Sequence, residues 1–144
     1  MAKRFTDTEK WSDPWFVDLN YEAKVLFLYL CDVCDMAGFI ERHDRSISFF
    51  TGIHIENIEK NLAGMKKSVV VRNGWIWVKN FIRHQKNIDL NPGNNAHKSI
   101  IRSLLSKSFI YKDLYEEVLG YTEEELRGLL GASEGLVRGI GKGK

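Results

Sequence analysis

The chain has 144 residues, of which 44% are hydrophobic and 12% aromatic; this is enough for one domain with a real core and excludes wholesale disorder. No apolar run approaches the roughly 20 residues that span a bilayer, and the opening MAKRFTDTEKW has no apolar stretch after its basic pair, so we expect neither a membrane anchor nor a signal peptide. The two cysteines, Cys31 and Cys34, fall in one helical segment, which predicts a reduced, cytoplasmic protein.

The net charge of +2 hides a strong asymmetry along the chain. Residues 60–112 contain eleven Lys or Arg and one acid, Asp89, whereas the other residues contain ten basic and eighteen acidic side chains. A short charged run is explained equally well as a solvated face. A run that covers several elements and is almost free of acids favours a one-sided positive field, which is typical of proteins that bind a polyanion.

The first predicted elements are a lead-in and a helix. Residues 5–20, FTDTEKWSDPWFVDLN, predict an extended lead-in that three aromatic residues hold onto the core, Trp11, Trp15 and Phe16. Asn20 is the predicted N-cap of the helix, with Glu22 near its positive terminus, and Ala37-Gly38 is its predicted end. The helix is expected to be well covered because many of its residues are apolar, namely Val25, Leu26, Leu28, Leu30 and Cys31.

A short strand and two further helices follow. FIERHD, residues 39–44, predicts the strand, and SISFFTGI, residues 46–53, predicts a short helix that Asp44 caps and Gly52 ends. HIENIEKNLAGMKKS, residues 54–68, predicts a third helix. Its buried stripe is expected to consist of four apolar residues at helical spacing, Ile55, Ile58, Leu62 and Met65.

Asn73-Gly74 lies between two apolar runs and predicts a type I′ β-hairpin, because both central positions of that turn need a positive φ. The turn sets a register of four facing pairs, Arg72 with Trp75, Val71 with Ile76, Val70 with Trp77 and Val69 with Val78. One face is then an ordinary core face, made of Val69, Val71, Ile76 and Val78. Trp75 and Trp77 lie on the other face and can stack on unpaired bases, but burial within the protein is favoured for such large side chains.

The predicted order is helix, short strand, helix, turn, helix and hairpin, followed by C-terminal helices. This is the order of a winged helix-turn-helix domain, so we predict an α+β, mostly helical fold in which the hairpin is the wing. In that architecture the third helix lies in the major groove of double-stranded DNA. The tip of the wing is expected to reach the DNA backbone or a minor groove.

The C-terminal part is predicted to be a loop, KNIDLNPGNN, and two helices. The first of these starts near Asn94 or Asn95 and has a buried stripe of Ile100, Ile101, Leu104 and Leu105. Thr122 and Glu125 have the spacing of a capping box and start the last helix. The predicted organisation is a winged-helix domain, a helical extension and a flexible Gly/Lys-rich tail, over residues 1–112, 113–130 and 131–144.

Ten residues are the predicted DNA contacts: Asn57, Lys60, Asn61, Lys66, Lys67, Arg72, Arg83, Lys86, Lys98 and Arg102. Asn can pair bidentately with adenine, so Asn57 and Asn61 are the predicted base-reading residues, whereas Arg72 is expected to contact phosphate or sugar. Glu56 and Glu59 on the same helix oppose this because they repel phosphate, although a Glu can accept from cytosine. A merely solvated helix face is an equally good interpretation. Six of the basic residues are expected to gather on one face, Lys66, Lys67, Arg72, Arg83, Lys98 and Arg102.

Catalytic and metal sites are not predicted. The sequence has no nucleophile elbow, phosphate-binding Gly loop or HExxH motif, so we expect neither an enzyme nor a cofactor. Cys31 and Cys34 form a lone C-x-x-C, with His43 as the one other nearby candidate, whereas a structural zinc site needs four ligands. The two cysteines are better explained as small core residues.

Three separated blocks of the sequence, KRFTDTEKWSDPWFVDL, KVLFLYLCDVCDMAGFIE and FIRHQKNIDLNPGNNAHKSII, resemble the N-terminal domain of replication-initiation proteins, or replisome organisers, of phages and prophages of low-GC bacteria. The resemblance covers about residues 3–111. It implies a winged-helix domain that binds double-stranded origin DNA and leaves recruitment of the helicase loader to later regions. Some members carry a DnaD-type domain, for which no room is expected after residue 112.

Two other functions remain open. A winged-helix transcriptional regulator would show the same basic surface and differ only in the site that it binds. A protein-interaction module would instead use the wing and its tryptophans to recruit a replication partner. Host replication proteins are therefore secondary partner candidates, and an oligomer is compatible with each function.

Overall fold

Helices and one small antiparallel sheet make up the chain, which is α+β and mostly helical, as predicted. The structure is a computed structural model that describes residues 3–85 and 87–131. Lys86 and residues 132–144, which include nearly all of the predicted tail, lie outside the described residues. The chain divides into two compact units, residues 1–85 and 86–144.

The first unit contains ten helical and strand elements. In chain order these are a 3₁₀ turn Thr8–Ser12, α1 Pro14–Val17, α2 Tyr21–Val33, β1 Phe39–Glu41, α3 Asp44–Thr51, a 3₁₀ turn Ile55–Asn57, α4 Ile58–Gly64, β2 Val69–Arg72, β3 Trp75–Val78 and α5 Phe81–His84. From α2 to β3 this is the predicted order of helices and strands.

The lead-in is helical in part, so the prediction of an extended segment is wrong there. Asp7 and Asp13 each cap a short turn, because their carboxylates accept hydrogen bonds from the backbone N–H groups of Glu9 (2.9 Å) and Trp15 (3.0 Å). Pro14 occupies the first position of α1, where its missing N–H costs nothing. These local caps decide the conformation of the segment.

Two of the three aromatic residues of the lead-in, Trp15 and Phe16, pack onto the core as expected. Phe16 is fully buried, and its ring meets Phe27 of α2 at 6.1 Å between centroids. Trp15 packs edge-on against the same ring at 5.2 Å. Trp11 stays largely exposed and touches the edge of Phe16.

Helix α2 begins where predicted and ends earlier. The Asn20 side chain accepts a hydrogen bond from the Ala23 N–H at 2.8 Å, which confirms the N-cap. The helix ends at Val33, because the Asp35 carboxylate accepts the N–H groups of Ala37 (2.9 Å) and Phe39 (3.0 Å) and so closes a turn before β1. The buried side of α2 consists of Ala23, Leu26, Phe27 and Leu30, whereas Val25 is 42% exposed, contrary to the expectation that it is covered.

The sheet has the strand order β1-β3-β2 and is antiparallel throughout. Asn73 (φ 49°) and Gly74 (φ 78°) form the predicted hairpin turn, and the register of β2 and β3 is the predicted one. Trp77 is fully buried: its ring stacks on Phe39 at 5.4 Å and its indole N–H donates to the Ala37 carbonyl at 3.0 Å. Trp77 is therefore a core residue.

The third predicted helix begins with the 3₁₀ turn Ile55–Asn57 and continues as α4. Ile58, Leu62 and Met65 are buried in the core as expected. Ile55 is 49% exposed, so its place in the buried stripe is wrong. The tighter winding of a 3₁₀ turn, three residues per turn, takes Ile55 off the α-helical row.

Between residues 87 and 131, the described part of the second unit contains α6 Asn95–Ser106, α7 Ser108–Leu119 and a helical segment at residues 123–131. Asn94 caps α6, and the Thr122–Glu125 capping box is confirmed by reciprocal hydrogen bonds of 3.0 and 3.1 Å. Of the predicted α6 stripe, Leu105 is half-buried and the other three are fully buried, Ile100, Ile101 and Leu104.

Helix α7 was not predicted, and residues 112 and 113, where a domain boundary was expected, lie inside it. Four of its buried residues are apolar or aromatic, Ile110, Tyr111, Tyr115 and Leu119. No helix in the described ranges has both the length and the apolar character needed to cross a membrane.

Candidate nucleic-acid interface

The turn between α3 and α4 aims the third helix. Gly52 ends α3 in the left-handed conformation (φ 81°), and the Thr51 hydroxyl accepts the Ile53 N–H at 3.2 Å. Ile53 is buried and anchors the turn. The segment that follows has seven exposed residues that are mostly polar or charged: His54, Glu56, Glu59, Lys60, Ala63, Lys66 and Lys67.

The two predicted base-reading residues point inward. Asn61 is only 2% exposed, and its Nδ2 donates to the Asn57 carbonyl (3.0 Å) and to Glu22 Oε1 of α2 (3.4 Å). Asn57 is half-buried and its Nδ2 lies 3.5 Å from Glu22 Oε2. The expectation that Asn61 lies away from the buried stripe is wrong, because a carboxylate on another helix engages its amide. The burial of Asn61 therefore contradicts its predicted role as a base-reading residue.

Arg42 was missed as a residue that organises this surface. Its guanidinium binds the Asp44 carboxylate through two hydrogen bonds, 2.8 and 3.0 Å, and binds Glu59 of α4 at 2.6 Å. Its backbone N–H donates to the carbonyl of Gly74 in the hairpin turn at 2.8 Å. Hydrogen bonding to Asp44, then to Glu59, raises the pKa of Arg42 further above its usual range. Arg42 thus joins the start of α3 and the outer side of α4 through its side chain, and the hairpin turn through its backbone N–H.

The Arg42 contacts change two expectations. Asp44 occupies the first turn of α3 and pairs with Arg42, while His43 is the N-cap residue, so the predicted capping role of Asp44 is wrong. Glu59 is paired with a cation, which reduces its repulsion of phosphate. The sequence offered one signal for this arrangement, an Arg two residues before an Asp at a predicted helix start.

The basic residues of the first unit that were predicted to contact DNA lie in four places. Lys60 is exposed on α4, Lys66 and Lys67 are exposed in the turn before β2, Arg72 is half-buried at the far end of β2, and Arg83 is exposed on α5. Lys66 and Lys67 are therefore neighbours, whereas Arg72 lies at the opposite end of β2 from them.

The remaining predicted contacts belong to the second unit. Lys98 is half-buried and Arg102 is exposed, both on α6, and Lys86 lies outside the described residues. The gathering of six basic residues on one face involves both units and stays a prediction.

The cysteines are unpaired with each other, and their thiols are protonated at neutral pH. Cys34 is fully buried and Cys31 is half-buried. Burial raises the pKa of both thiols to about 12, with a smaller contribution from Asp32 at Cys31. Within the part of the chain that the structure describes, no group of three or more His, Cys, Asp or Glu side chains is placed to hold a metal ion.

Comparison with protein-family models, with curated proteins and with solved structures gives no match for this chain.

Proposed function

We propose that this chain binds double-stranded DNA through a winged helix-turn-helix in its first unit. The observation that carries the proposal is the topology: α2, β1, α3, α4 and a β2–β3 hairpin, with β1 added to the sheet beside β3. This is the arrangement in which the third helix enters the major groove and the hairpin flanks it. The basic segment of residues 60–112 supplies the charge that phosphate binding requires.

Lys60 replaces the two asparagines as the main groove contact. Lys60 is exposed on α4. Glu56 and Glu59 precede it in the sequence, and Glu59 is paired with Arg42. The Lys60 ammonium group can bind guanine or phosphate. Arg42 binds the hairpin turn through its backbone N–H and Glu59 of α4 through its side chain, which supports the proposal that Arg72 contacts the DNA backbone.

Arg72→Ala is expected to weaken binding to cognate and scrambled duplexes alike and to lower the salt slope by about one unit, because one phosphate contact is lost. Arg72→Lys keeps the charge and is the matched control, with an unchanged slope. Fluorescence anisotropy titrations at several salt concentrations measure both. A loss confined to the cognate duplex would show that Arg72 reads bases.

Lys60→Gln separates the helix from the wing, with Lys3→Gln, at an exposed lysine of the first unit, as the control. If α4 enters the groove, Lys60→Gln reduces the preference for cognate over scrambled duplex, whereas Lys3→Gln leaves it unchanged. Binding of the unaltered chain to neither duplex at low salt would reject the DNA-binding function altogether.

The cellular role that we propose is that of a phage-type replication initiator, on the basis of the three sequence blocks described above. A transcriptional regulator differs in the location of its sites. Selection of bound fragments from the source genome separates the two, since initiator sites fall in a replication origin and regulator sites fall in promoters.

An exposed aromatic patch favours a second candidate function, a protein-interaction module. Phe49 and Phe50 of α3 are 81% and 67% exposed, and their rings meet edge-on at 5.1 Å. Phe50 also stacks on Tyr29 of α2 at 6.2 Å, and Val25 and Tyr21 continue the same row of α2 toward its start. Contiguous apolar surface of this kind marks an interaction site.

The partner that we propose for the patch is a second copy of the chain. Lys24 and Asp32 lie on α2 outside its buried side and eight residues apart. Two α2 helices that meet antiparallel therefore bring each Lys24 toward the other copy's Asp32. Sedimentation equilibrium is expected to show a dimer that Phe50→Ser dissociates and that Phe109→Ser, an equally exposed change on α7, leaves intact. A monomer at all concentrations would reject this partner.

A further inference from the structure

A cavity of about 510 Å³ lies in the first unit. Its walls come from the N-terminal residues 4–7, helix α2, the turn before β2 and helix α5. The volume falls in the range of about 300–1,000 Å³ that is usual for small-molecule sites. Apart from Lys67, no residue assigned above to DNA contact lines it.

The N-terminal wall of the cavity is held in place by two side chains. Arg4 Nη1 donates to the carbonyls of Cys31 (2.8 Å) and Asp32 (2.9 Å), which lie in the last turn of α2, where carbonyls lack a helical partner. The Gln85 amide pairs with both backbone polar groups of Phe5, at 3.0 and 2.8 Å. The wall is therefore formed before any ligand arrives, which lowers the entropic cost of binding.

Aromatic rings make up much of the inner surface. Phe5, Trp15, Phe27 and Phe81 all line the cavity. Trp15 and Phe27 meet edge-on, and the Arg4 guanidinium lies over the Phe81 ring at 5.1 Å. Such walls favour a flat, aromatic ligand body.

Two of the three acidic side chains and two of the three Lys or Arg side chains that line the cavity already make hydrogen bonds within the protein. The carboxylates of Asp7 and Asp13 already accept backbone N–H groups as caps, and the third acid of the lining, Asp32, is exposed. Arg4 is held by the α2 carbonyls, and Lys10 donates to the Asp7 carbonyl at 3.0 Å. Lys67 lines the cavity and is exposed, and it makes no ion pair with any described residue.

His84 also lines the cavity but adds no positive charge at neutral pH. Loss of hydration at this wall lowers the pKa of His84, and Arg83 lowers it further, while Asp7 and Asp13 oppose the shift. The side chain is therefore neutral at pH 7. The positive charge available to a ligand comes from Lys67.

We propose that the cavity binds a small aromatic anion, with the ring between the aromatic walls and the anionic group on the Lys67 ammonium. This site does not depend on the proposed DNA function, although Lys67 is also one of the predicted DNA contacts, because the rest of its lining comes mainly from the N-terminal wall, α2 and α5. Its test needs no DNA.

Calorimetric titration of the full chain with naphthalene-2-sulfonate tests the proposal, with 2-naphthylmethylamine as a probe of the same ring and opposite charge. We expect saturable 1:1 binding of the sulfonate and much weaker binding of the amine. Lys67→Gln should weaken sulfonate binding about tenfold, the usual effect of losing one charge-assisted hydrogen bond. Lys66→Gln, at the exposed neighbour that does not line the cavity, should change it less than twofold.

A second variant separates the cavity from the surface. Leu28 lines the cavity, so Leu28→Trp should fill part of it and abolish sulfonate binding, while a native melting transition shows that the chain still folds. The proposal is overturned if the sulfonate does not bind, if the amine binds equally well, if both lysine variants lose the same affinity, or if a folded Leu28→Trp chain binds as before.

Discussion

Asn61→Asp is expected to lower the free energy of unfolding by about 3–5 kcal/mol, the usual cost of an uncompensated buried charge. The Asn61 amide donates to the Asn57 carbonyl and to the Glu22 carboxylate, and the side chain is almost fully buried. A carboxylate in its place would face two oxygen acceptors with no donor. Urea denaturation at pH 7 measures the loss.

The pH dependence of this loss has a definite sign. Burial and the neighbouring Glu22 raise the pKa of the introduced carboxylate above its unfolded value of about 3.9. The variant is therefore least destabilised below that value, where the group is protonated in both states, and the deficit grows as the pH rises through the folded pKa.

Two variants serve as controls for Asn61→Asp. Asn57→Asp makes the same change one turn earlier at a half-buried position and is expected to cost less. Asn61→Ala removes the hydrogen bonds without adding charge and should cost about 1–3 kcal/mol. A loss for Asn61→Asp no greater than that for Asn57→Asp would contradict the buried contact with Glu22. If the chain binds DNA as proposed, the Ala variant should affect cognate and scrambled duplexes equally, because the amide is buried against Glu22.

Gly38→Ala is expected to cost about 2–5 kcal/mol, from two additive sources. Gly38 has a φ of +100°, which costs an L-residue about 1–2 kcal/mol. A Cβ there would also lie 2.5 Å from the Val78 carbonyl oxygen and 3.0 Å from Phe81 Cβ, and such overpacking typically costs about 1–3 kcal/mol. The backbone has little room to move, because the Val78 N–H donates to the Gly38 carbonyl at 2.8 Å.

Gly52→Ala is the matched control for Gly38→Ala. Gly52 has a similar φ of +81°, but a Cβ there meets nothing within 4 Å. Only the conformational cost of about 1–2 kcal/mol is then expected. Equal losses in the two variants, measured by the same urea titration, would show that the contact between Gly38 and Val78 does not constrain the chain.

The features that the sequence determined by itself depend on near neighbours. The caps at Asn20 and Asn94, the Thr122–Glu125 capping box and the Asn73-Gly74 turn each satisfy backbone groups within a few residues. Their chemistry is complete in a short peptide segment. The hairpin register followed from the turn for the same reason.

Periodicity determined which side of a helix faces the core, as long as the helix was regular. It placed Ile58, Leu62 and Met65 correctly on α4 and failed at Ile55, where the winding changes. It also identified Lys60 as exposed. The exposure of Lys60 was therefore predictable from the spacing of residues alone, whereas the pairing of Arg42 with Glu59 was not.

Only the tertiary structure decided whether a side chain at the edge of the buried face of a helix or strand is itself buried or exposed. Asn61 turned inward because Glu22, thirty-nine residues earlier, accepts its amide, and Trp77 became a core residue because Phe39 and the Ala37 carbonyl meet it. An edge position is compatible with either burial or exposure, so its partner on another element settles the outcome. That partner is set by how helices and strands pack, which the local sequence does not contain.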